Sequence, residues 1–415
     1  MMNNFLKSCL LACLCVYTFS LSLKAEVTKY STWEIPEYVK PDPNFETLKF
    51  YLNRQITDKN IFDKWIVFPS KETKEFEKEI KVNSFLNNEI KKSSIVSYLF
   101  FDNGKIIYDE KSPEDRFGNI VNDKTKLLSN SMGKSLVSYV TGHAICKGFI
   151  KGIETKVNDW PLIKNTLYHD QTLINLLNMR ARDNNYVDDI KGMLSTGRWY
   201  NIHSIKSLAE RELKDSKPSP KWSDKYRYNG LVTNIIMNYV IYKSGSNFQN
   251  VLNEIFQKKA GIKYSVFFLK NKWQRYDNGR INESLPKLND DDGNSWYQFY
   301  ASRYDYLRIA NAILNDWKND TCVGKYLKNI YKQKKSKTNQ FNHPRLKHSS
   351  FYGGQFHINF TGMNDRNIMG MEGYGGQSIM IDFDNSRILV LNTIHTNYNF
   401  DELVIAAIKN GKLKD

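Results

Sequence analysis

The sequence predicts an α+β fold: one antiparallel sheet drawn from both ends of the chain, flanked by helices, with a helical lobe inserted between its two halves. Strand-and-turn patterns occur near residue 100 and again after residue 350, and they place sheet at both ends. The stretch between, from about Ser131 to Tyr331, reads mainly as helix. Composition supplies the core: 41% of the 415 residues are hydrophobic and 13% aromatic, which excludes a mainly disordered chain. With 22 Gly and 5 Cys, collagen-like and disulfide-scaffold chains are excluded too.

The elements follow in order. Residues 5–23 form an apolar run with Lys7 before it and Leu23-Lys24-Ala25 at its end. That pattern predicts a signal peptide over 1–25 and a periplasmic or secreted protein. The run is short for a retained anchor and stops at Lys24, so no membrane span is expected after cleavage. Leu10-Leu11-Ala12-Cys13 resembles a lipoprotein cleavage box but sits too early. Residues 26–415 read as a single domain, with a sheet lobe of about 26–128 plus 345–415 and a helical lobe of about 129–344. Residues 26–92 are polar and mixed, with a helix expected around 74–90. Residues 94–108 (SIVSYLFFDNGKIIY) place Asp102-Asn103-Gly104 between two apolar runs, a hairpin signal. Helices are expected over 132–147, 171–179, 231–243 and 304–317, with a loop at Pro218 and Pro220. Strand character returns at 352–360 and at 378–393, where Asp384-Asn385-Ser386-Arg387 marks a second hairpin. Residues 400–409 read as a closing amphipathic helix.

The chain has 60 Lys+Arg against 44 Asp+Glu, a formal charge of +16. The lysines are dispersed, and no zinc-finger spacing or RNA-binding aromatic motif accompanies them, so no nucleic-acid partner is expected. The densest run, 332–337 (KQKKSK), reads as a solvated loop. Cys9, Cys13 and Cys15 leave with the signal peptide, and Cys146 and Cys322 remain. Cys146 lies in an apolar helical stretch, where a buried free thiol is the default; export permits a disulfide, but spacing alone does not show that the two meet.

Neither G-x-S-x-G nor H-E-x-x-H occurs, and the seven His are scattered. Ser131-Met132-Gly133-Lys134 stands out instead. It opens an apolar helix, so Ser131 sits at a helix N-terminus, where free N–H groups favour developing negative charge. Lys134 is one turn on, on the same face, and a desolvated Lys beside a Ser helps to activate the hydroxyl. The bland alternative is a Ser that caps the helix and a Lys in solvent.

The wider segment 129–160 (SNSMGKSLVSYVTGHAICKGFIKGIETKVNDW) resembles the nucleophile region of the serine β-lactamase-like family. That family holds class C β-lactamases, DD-peptidases, related esterases and 6-aminohexanoate-dimer hydrolases. Further landmarks keep the family's order. Leu173–Met179 resembles the helix near the site, with Arg180-Ala181-Arg182 where Thr-Ser-Gly is usual. Tyr226-Arg227-Tyr228-Asn229-Gly230 resembles the tyrosine motif. Gln298–Leu314 is similar to the Ser/Arg-Asp helix, and Tyr352-Gly353 and Gly373–Gln377 resemble the strands that close the site.

The resemblance covers roughly 94–410 and implies an acyl-enzyme on Ser131, with proton transfer shared by Lys134 and Tyr228. Which of the two is the base stays open, and Tyr226 is the competing register. It implies an oxyanion hole of the Ser131 and Gln377 backbone N–H groups, with Tyr374, Gly375 and Gly376 lining the substrate; for the glycines, a plain bulge is the alternative. No cofactor or metal is implied. Two departures matter: Gly230 replaces the Asn of Tyr-x-Asn, and Tyr374-Gly375-Gly376 replaces Lys-Thr-Gly. Losing a cation that meets a substrate carboxylate leans the pattern toward an esterase or amidase acting on a small-molecule ester or amide. The rivals are a β-lactamase or DD-peptidase, and a non-catalytic cell-wall-binding protein on the same fold. Mass spectrometry of the protein from its native host is expected to find an N-terminus at Glu26, outside the cytoplasm.

Overall fold

Residues Ile95–Asp102 (IVSYLFFD) show no polar alternation, the pattern of a strand covered on both faces. The computed structural model places them at such a position. It describes residues 43–56, 63–117, 120–186, 205–222, 225–270, 275–277, 280–282, 295–337 and 348–414. The expected signal peptide lies outside the described residues.

In chain order the strands are β1 (Asp63–Val67), β2 (Glu77–Lys78), β3 (Ile95–Asp102), β4 (Lys105–Lys111), β5 (Leu127–Leu128), β6 (Val266–Lys270), β7 (Arg275–Asp277), β8 (Arg280–Asn282), β9 (Ser295–Ala301), β10 (Lys335–Ser336), β11 (Ser349–Gly353), β12 (Phe356–Phe360), β13 (Ile368–Glu372), β14 (Ser378–Asp382) and β15 (Arg387–Thr393). A nine-stranded sheet runs in the order β10-β11-β12-β13-β14-β15-β3-β4-β2. Its pairs are antiparallel except β2 with β4. The two chain ends meet where β15 pairs with β3, from Arg387 opposite Asp102 to Thr393 opposite Ile95. The β3–β4 turn takes positive φ at Asn103 (46°) and Gly104 (99°), as an Asn-Gly hairpin requires.

The helices include α1 (Phe45–Ile56), α2 (Ser84–Lys92), α3 (Met132–Cys146), α4 (Leu173–Leu177), α5 (Gly230–Ser244), α6 (Arg303–Lys318) and α7 (Cys322–Lys332), with further short ones such as Glu114–Phe117 and Phe248–Leu252. Helical turns over Asp401–Ala406 and Ala407–Asn410 close the chain. Those last turns and α2 cover one face of the large sheet, where Leu86, Ile90, Leu403 and Ile408 pack with Phe100 and Leu389. The helical lobe covers the other, with Leu99, Val390, Ile379 and Ile381 in one apolar cluster with α3, α5 and α6. At the start of α6, Asp305 is fully buried and accepts from the N–H groups of Lys263 (2.7 Å) and Tyr264 (3.2 Å), from Arg308 (3.0 Å) and from the Ser302 hydroxyl (2.7 Å). Four donors compensate a carboxylate taken out of water. Among the described residues no helix is long and apolar enough to cross a membrane.

The α+β class and the sheet built from both termini are as the sequence predicts. Three readings differ. The helix expected around 74–90 is confined to Ser84–Lys92, because the preceding segment runs along β4: Glu79 and Lys81 donate to the carbonyls of Ile106 and Ile107 (2.9 Å each). Asn83 then caps the helix through Leu86 N–H (2.8 Å). Second, the middle region is not purely helical. It supplies β6 and β9 to a four-stranded sheet, β1-β6-β9-β5, whose strand Ser295–Ala301 is buried throughout and so shows no alternation. Third, Cys146 is not a free thiol. It forms a disulfide with Cys322, tying the end of α3 to the start of α7 across 176 residues of sequence.

Closing so long a loop removes much of the unfolded chain's freedom, about 5 kcal/mol in the chain-entropy picture. Cys146→Ser with Cys322→Ser, or reductant, is expected to lower the unfolding free energy by up to that amount in denaturant titrations.

Candidate active site

The first turn of α3 is built on the strand beneath it. Ser129 continues β5, donating its N–H to Phe299 O (2.7 Å) and accepting Phe299 N–H on its Oγ (2.9 Å). Asn130 then takes φ 46° and turns the chain into the helix. A β-carbon on Gly133 would stand 1.9 Å from Tyr297 O, so only glycine lets α3 approach β9 this closely.

Ser131 occupies the cap position of α3, yet its side chain makes no capping bond. Its hydroxyl accepts from Lys134 Nζ at 2.9 Å and shares a hydrogen bond with Tyr228. Lys134 is 2% exposed. Capping Ser and solvated Lys are therefore both excluded. The Lys134 ammonium lies between two rings, 3.8 Å from the centroid of Tyr297 and 4.8 Å from that of Tyr228.

Tyr228 comes from the loop that enters α5. Asn229 caps that helix through Val232 N–H (2.9 Å) and donates to Asp183 Oδ2 (3.2 Å). Arg227 N–H donates to Met179 O (2.8 Å). The tyrosine loop thus rests on the segment after α4, in which Met179 and Arg182 take left-handed φ (55° and 59°). Of the two tyrosine registers, Tyr228 is the one bonded to Ser131. Tyr226 is buried against Tyr352, ring centroids 5.2 Å apart. Burial pushes the Tyr228 phenol far up, Tyr297 and Glu372 push it further, and the bond to Ser131 opposes them.

The glycine-rich segment makes the turn from β13 into β14. Gly373 is the close approach: a β-carbon there would lie 2.6 Å from Ser129 O. The next peptide, Tyr374 C=O, accepts from Asn130 Nδ2 (3.1 Å), which ties this segment to the residue before Ser131. Gln377, expected to supply an oxyanion N–H, directly precedes β14: its carbonyl accepts Gly373 N–H (2.9 Å), and its side chain is buried. Gly375 (φ 77°) and Gly376 (φ 101°) form the turn between these strands. The missing side chain of Gly375 faces Ile394 O, 2.5 Å from where a β-carbon would be. The turn accounts for this glycine.

Four residues went unnoticed in the sequence. Tyr297 lies on β9, in a segment read as part of the helical region. Glu372 ends β13, buried, and acts electrostatically on Tyr226, Tyr228 and Tyr352. Lys337 belongs to the run read as a solvated loop, but its ammonium donates to Ser349 Oγ (2.5 Å) and lies 3.3 Å from His357 Nδ1. Burial pushes it down to about 8, opposed by Glu372. Asp183, fully buried, accepts from Tyr168 OH (2.8 Å) and Asn229, and burial pushes it up to about 6. Alternation marks none of these four, because each side chain is matched to a partner remote in sequence.

Neither a protein-family model nor a curated protein matches the sequence. Solved structures do match the fold. A Bacillus anthracis protein provisionally assigned as a 6-aminohexanoate-dimer hydrolase superposes with a TM-score of 0.60 at 12% identity, over 92% of this chain and 95% of its own. The octameric penicillin-binding protein homologue from Pyrococcus abyssi gives 0.53 at 14% identity, over 80% and 77%. The Bacillus halodurans penicillin-binding protein gives 0.51 at 14% identity, over 80% of this chain and 100% of its own. The fold is that of the serine β-lactamase-like proteins. At these identities the likeness fixes the architecture, and the chemistry is argued from the residues above.

The Asp183 environment has a consequence for pH. Its folded value lies above the ordinary 3.8, so the protonated carboxyl stabilises the native state. That contribution is complete below about pH 4 and is lost as pH rises through about 6, a cost of roughly 3 kcal/mol at most. Urea unfolding between pH 5 and 8 is expected to show wild-type stability falling relative to Asp183→Asn, which keeps an acceptor for Tyr168 and has no proton to lose.

Proposed function

We propose that this chain is a serine hydrolase that cleaves a small ester or amide through an acyl-enzyme on Ser131. One observation carries the reading: the Ser131 hydroxyl, at the start of a helix, is bonded to the buried Lys134 Nζ and the half-buried Tyr228 phenol at once. Ser131 Oγ attacks the substrate carbonyl, forming the Oγ–C bond. The oxyanion is received by the N–H groups of Ser131 and Gln377. A phenol raised by burial holds its proton at rest. Lys134, in its neutral amine form, therefore takes the hydroxyl proton, and Tyr228 passes one to the leaving group. Water then attacks the ester carbon and releases Ser131, the proton steps running in reverse.

The name of the Bacillus anthracis relative, a hydrolase of 6-aminohexanoate dimer, agrees with this class of substrate. One observation favours a second reading, a β-lactamase or DD-peptidase: Lys337 is a cation that feels Glu372 and lies 3.3 Å from His357 Nδ1, and it would meet a substrate carboxylate. A binding protein has no need of the assembled Ser131, Lys134 and Tyr228. Export is part of the proposal, since the Cys146–Cys322 bond suits an oxidising compartment.

Labelling with a fluorophosphonate is expected to modify Ser131 and to vanish in Ser131→Ala, with ester turnover lost in parallel. Lys134→Ala and Tyr228→Phe are each expected to slow turnover by roughly 10²-fold, the scale of a lost acid–base group. On one preparation, kcat/KM for a short p-nitrophenyl ester is expected to exceed that for a chromogenic cephalosporin; the reverse order moves the protein to the second reading.

A further inference from the structure

Gly230 is the first residue of α5, two positions after Tyr228, where the sequence resemblance expects an asparagine. A β-carbon built there falls 3.1 Å from both Cε1 and the hydroxyl oxygen of Tyr297. That is inside ordinary contact distance, so a side chain at 230 needs the Tyr297 ring to give way. The glycine is therefore paired with the tyrosine: the volume an asparagine would fill already holds an aromatic side chain.

Tyr297 is fixed on several sides. Its N–H donates to Asn234 Oδ1 on α5 (3.1 Å), its carbonyl lies against Gly133 on α3, and its side chain is buried. The face of the same ring holds the Lys134 ammonium, 3.8 Å from the centroid and closer than the Tyr228 ring. An ammonium over a tyrosine face in a dry setting is attracted by the ring quadrupole.

We propose that Tyr297 is the specificity-determining and positioning residue of this site: it occupies the place of a side-chain amide at position 230, and its ring seats the Lys134 ammonium beside Ser131. The site then lacks the amide that would grip an acylamino substituent, and it favours substrates with a plain acyl chain. This deepens the Ser131 reading and rests on it.

The test uses the whole protein, with the rate of fluorophosphonate labelling at Ser131, kcat/KM for a p-nitrophenyl ester and a chromogenic cephalosporin, and a thermal melt for every variant. Tyr297→Phe keeps the ring and is expected to label at close to the wild-type rate. Tyr297→Leu removes the ring face and is expected to label ~10-fold more slowly, the scale of one desolvated cation–ring contact. Gly230→Asn alone is expected to melt lower and to lose at least ~10-fold in ester kcat/KM, because a desolvated amide and the ring compete for one volume. Adding Tyr297→Ser to Gly230→Asn is expected to restore the melt and to raise the cephalosporin-to-ester ratio ~10-fold above wild type, one well-placed polar contact.

Labelling of Tyr297→Leu at the wild-type rate overturns the positioning role. Gly230→Asn at wild-type melt and activity, or a double variant no better than that single one, overturns the volume exchange; this pair decides even if Tyr297→Leu does not fold. Absence of label on Ser131 in the wild type overturns the Ser131 reading itself, a result distinct from all of these.

Discussion

The site depends on the absence of one β-carbon. At Gly133 the first turn of α3 lies on the backbone of β9 so closely that any side chain would meet Tyr297 O. Backing the helix off would move Ser131 and Lys134 together, since both ride on that turn. It would also draw Lys134 away from the Tyr297 ring and break the line in which β5, Ser129 and the helix start follow one another along β9. Close packing of helix on strand leaves no slack to absorb such a shift.

A second constraint is electrical. The protein buries several groups that water would otherwise solvate, and each has its own compensation. Arg303 binds Ser97 Oγ (2.9 Å), Asp109 (2.6 Å) and Asp123 (3.0 Å), locking the start of α6 to β3 and β4. Asp305 is met by backbone N–H groups and Arg308. Lys134 is met by a hydroxyl and two ring faces. Removing one partner from such a buried group costs far more than the pair contributes net, so these networks hold the two lobes in one arrangement.

Much of this was legible in the sequence, for identifiable reasons. Asp102-Asn103-Gly104 and Asp384-Asn385-Ser386-Arg387 carry their own turn chemistry, and long apolar stretches such as 132–146 and 230–244 declare helices without help from elsewhere. The order of Ser131, Lys134 and Tyr228 along the chain was readable as well. What was hidden depends on partners. Strand β9 is buried on both faces and has no period to read. The run Gly373–Gln377 allows several registers, because glycines bear no side chain to say which peptide faces Ser131. The small residue at 133 acquires its meaning only from a carbonyl more than 160 positions away.

The disulfide gives the chain a covalent topology that differs from its sequence. Residues 146 and 322 bracket the tyrosine loop, α5 and β9, while Ser131 and Lys134 lie before the bracket and Glu372 and Tyr374 after it. A single proteolytic nick anywhere between the two cysteines leaves the pieces joined. Such a nicked protein migrates as one species without reductant and as two with it, and until it is reduced the helix bearing Ser131 stays attached to the strands that close the site.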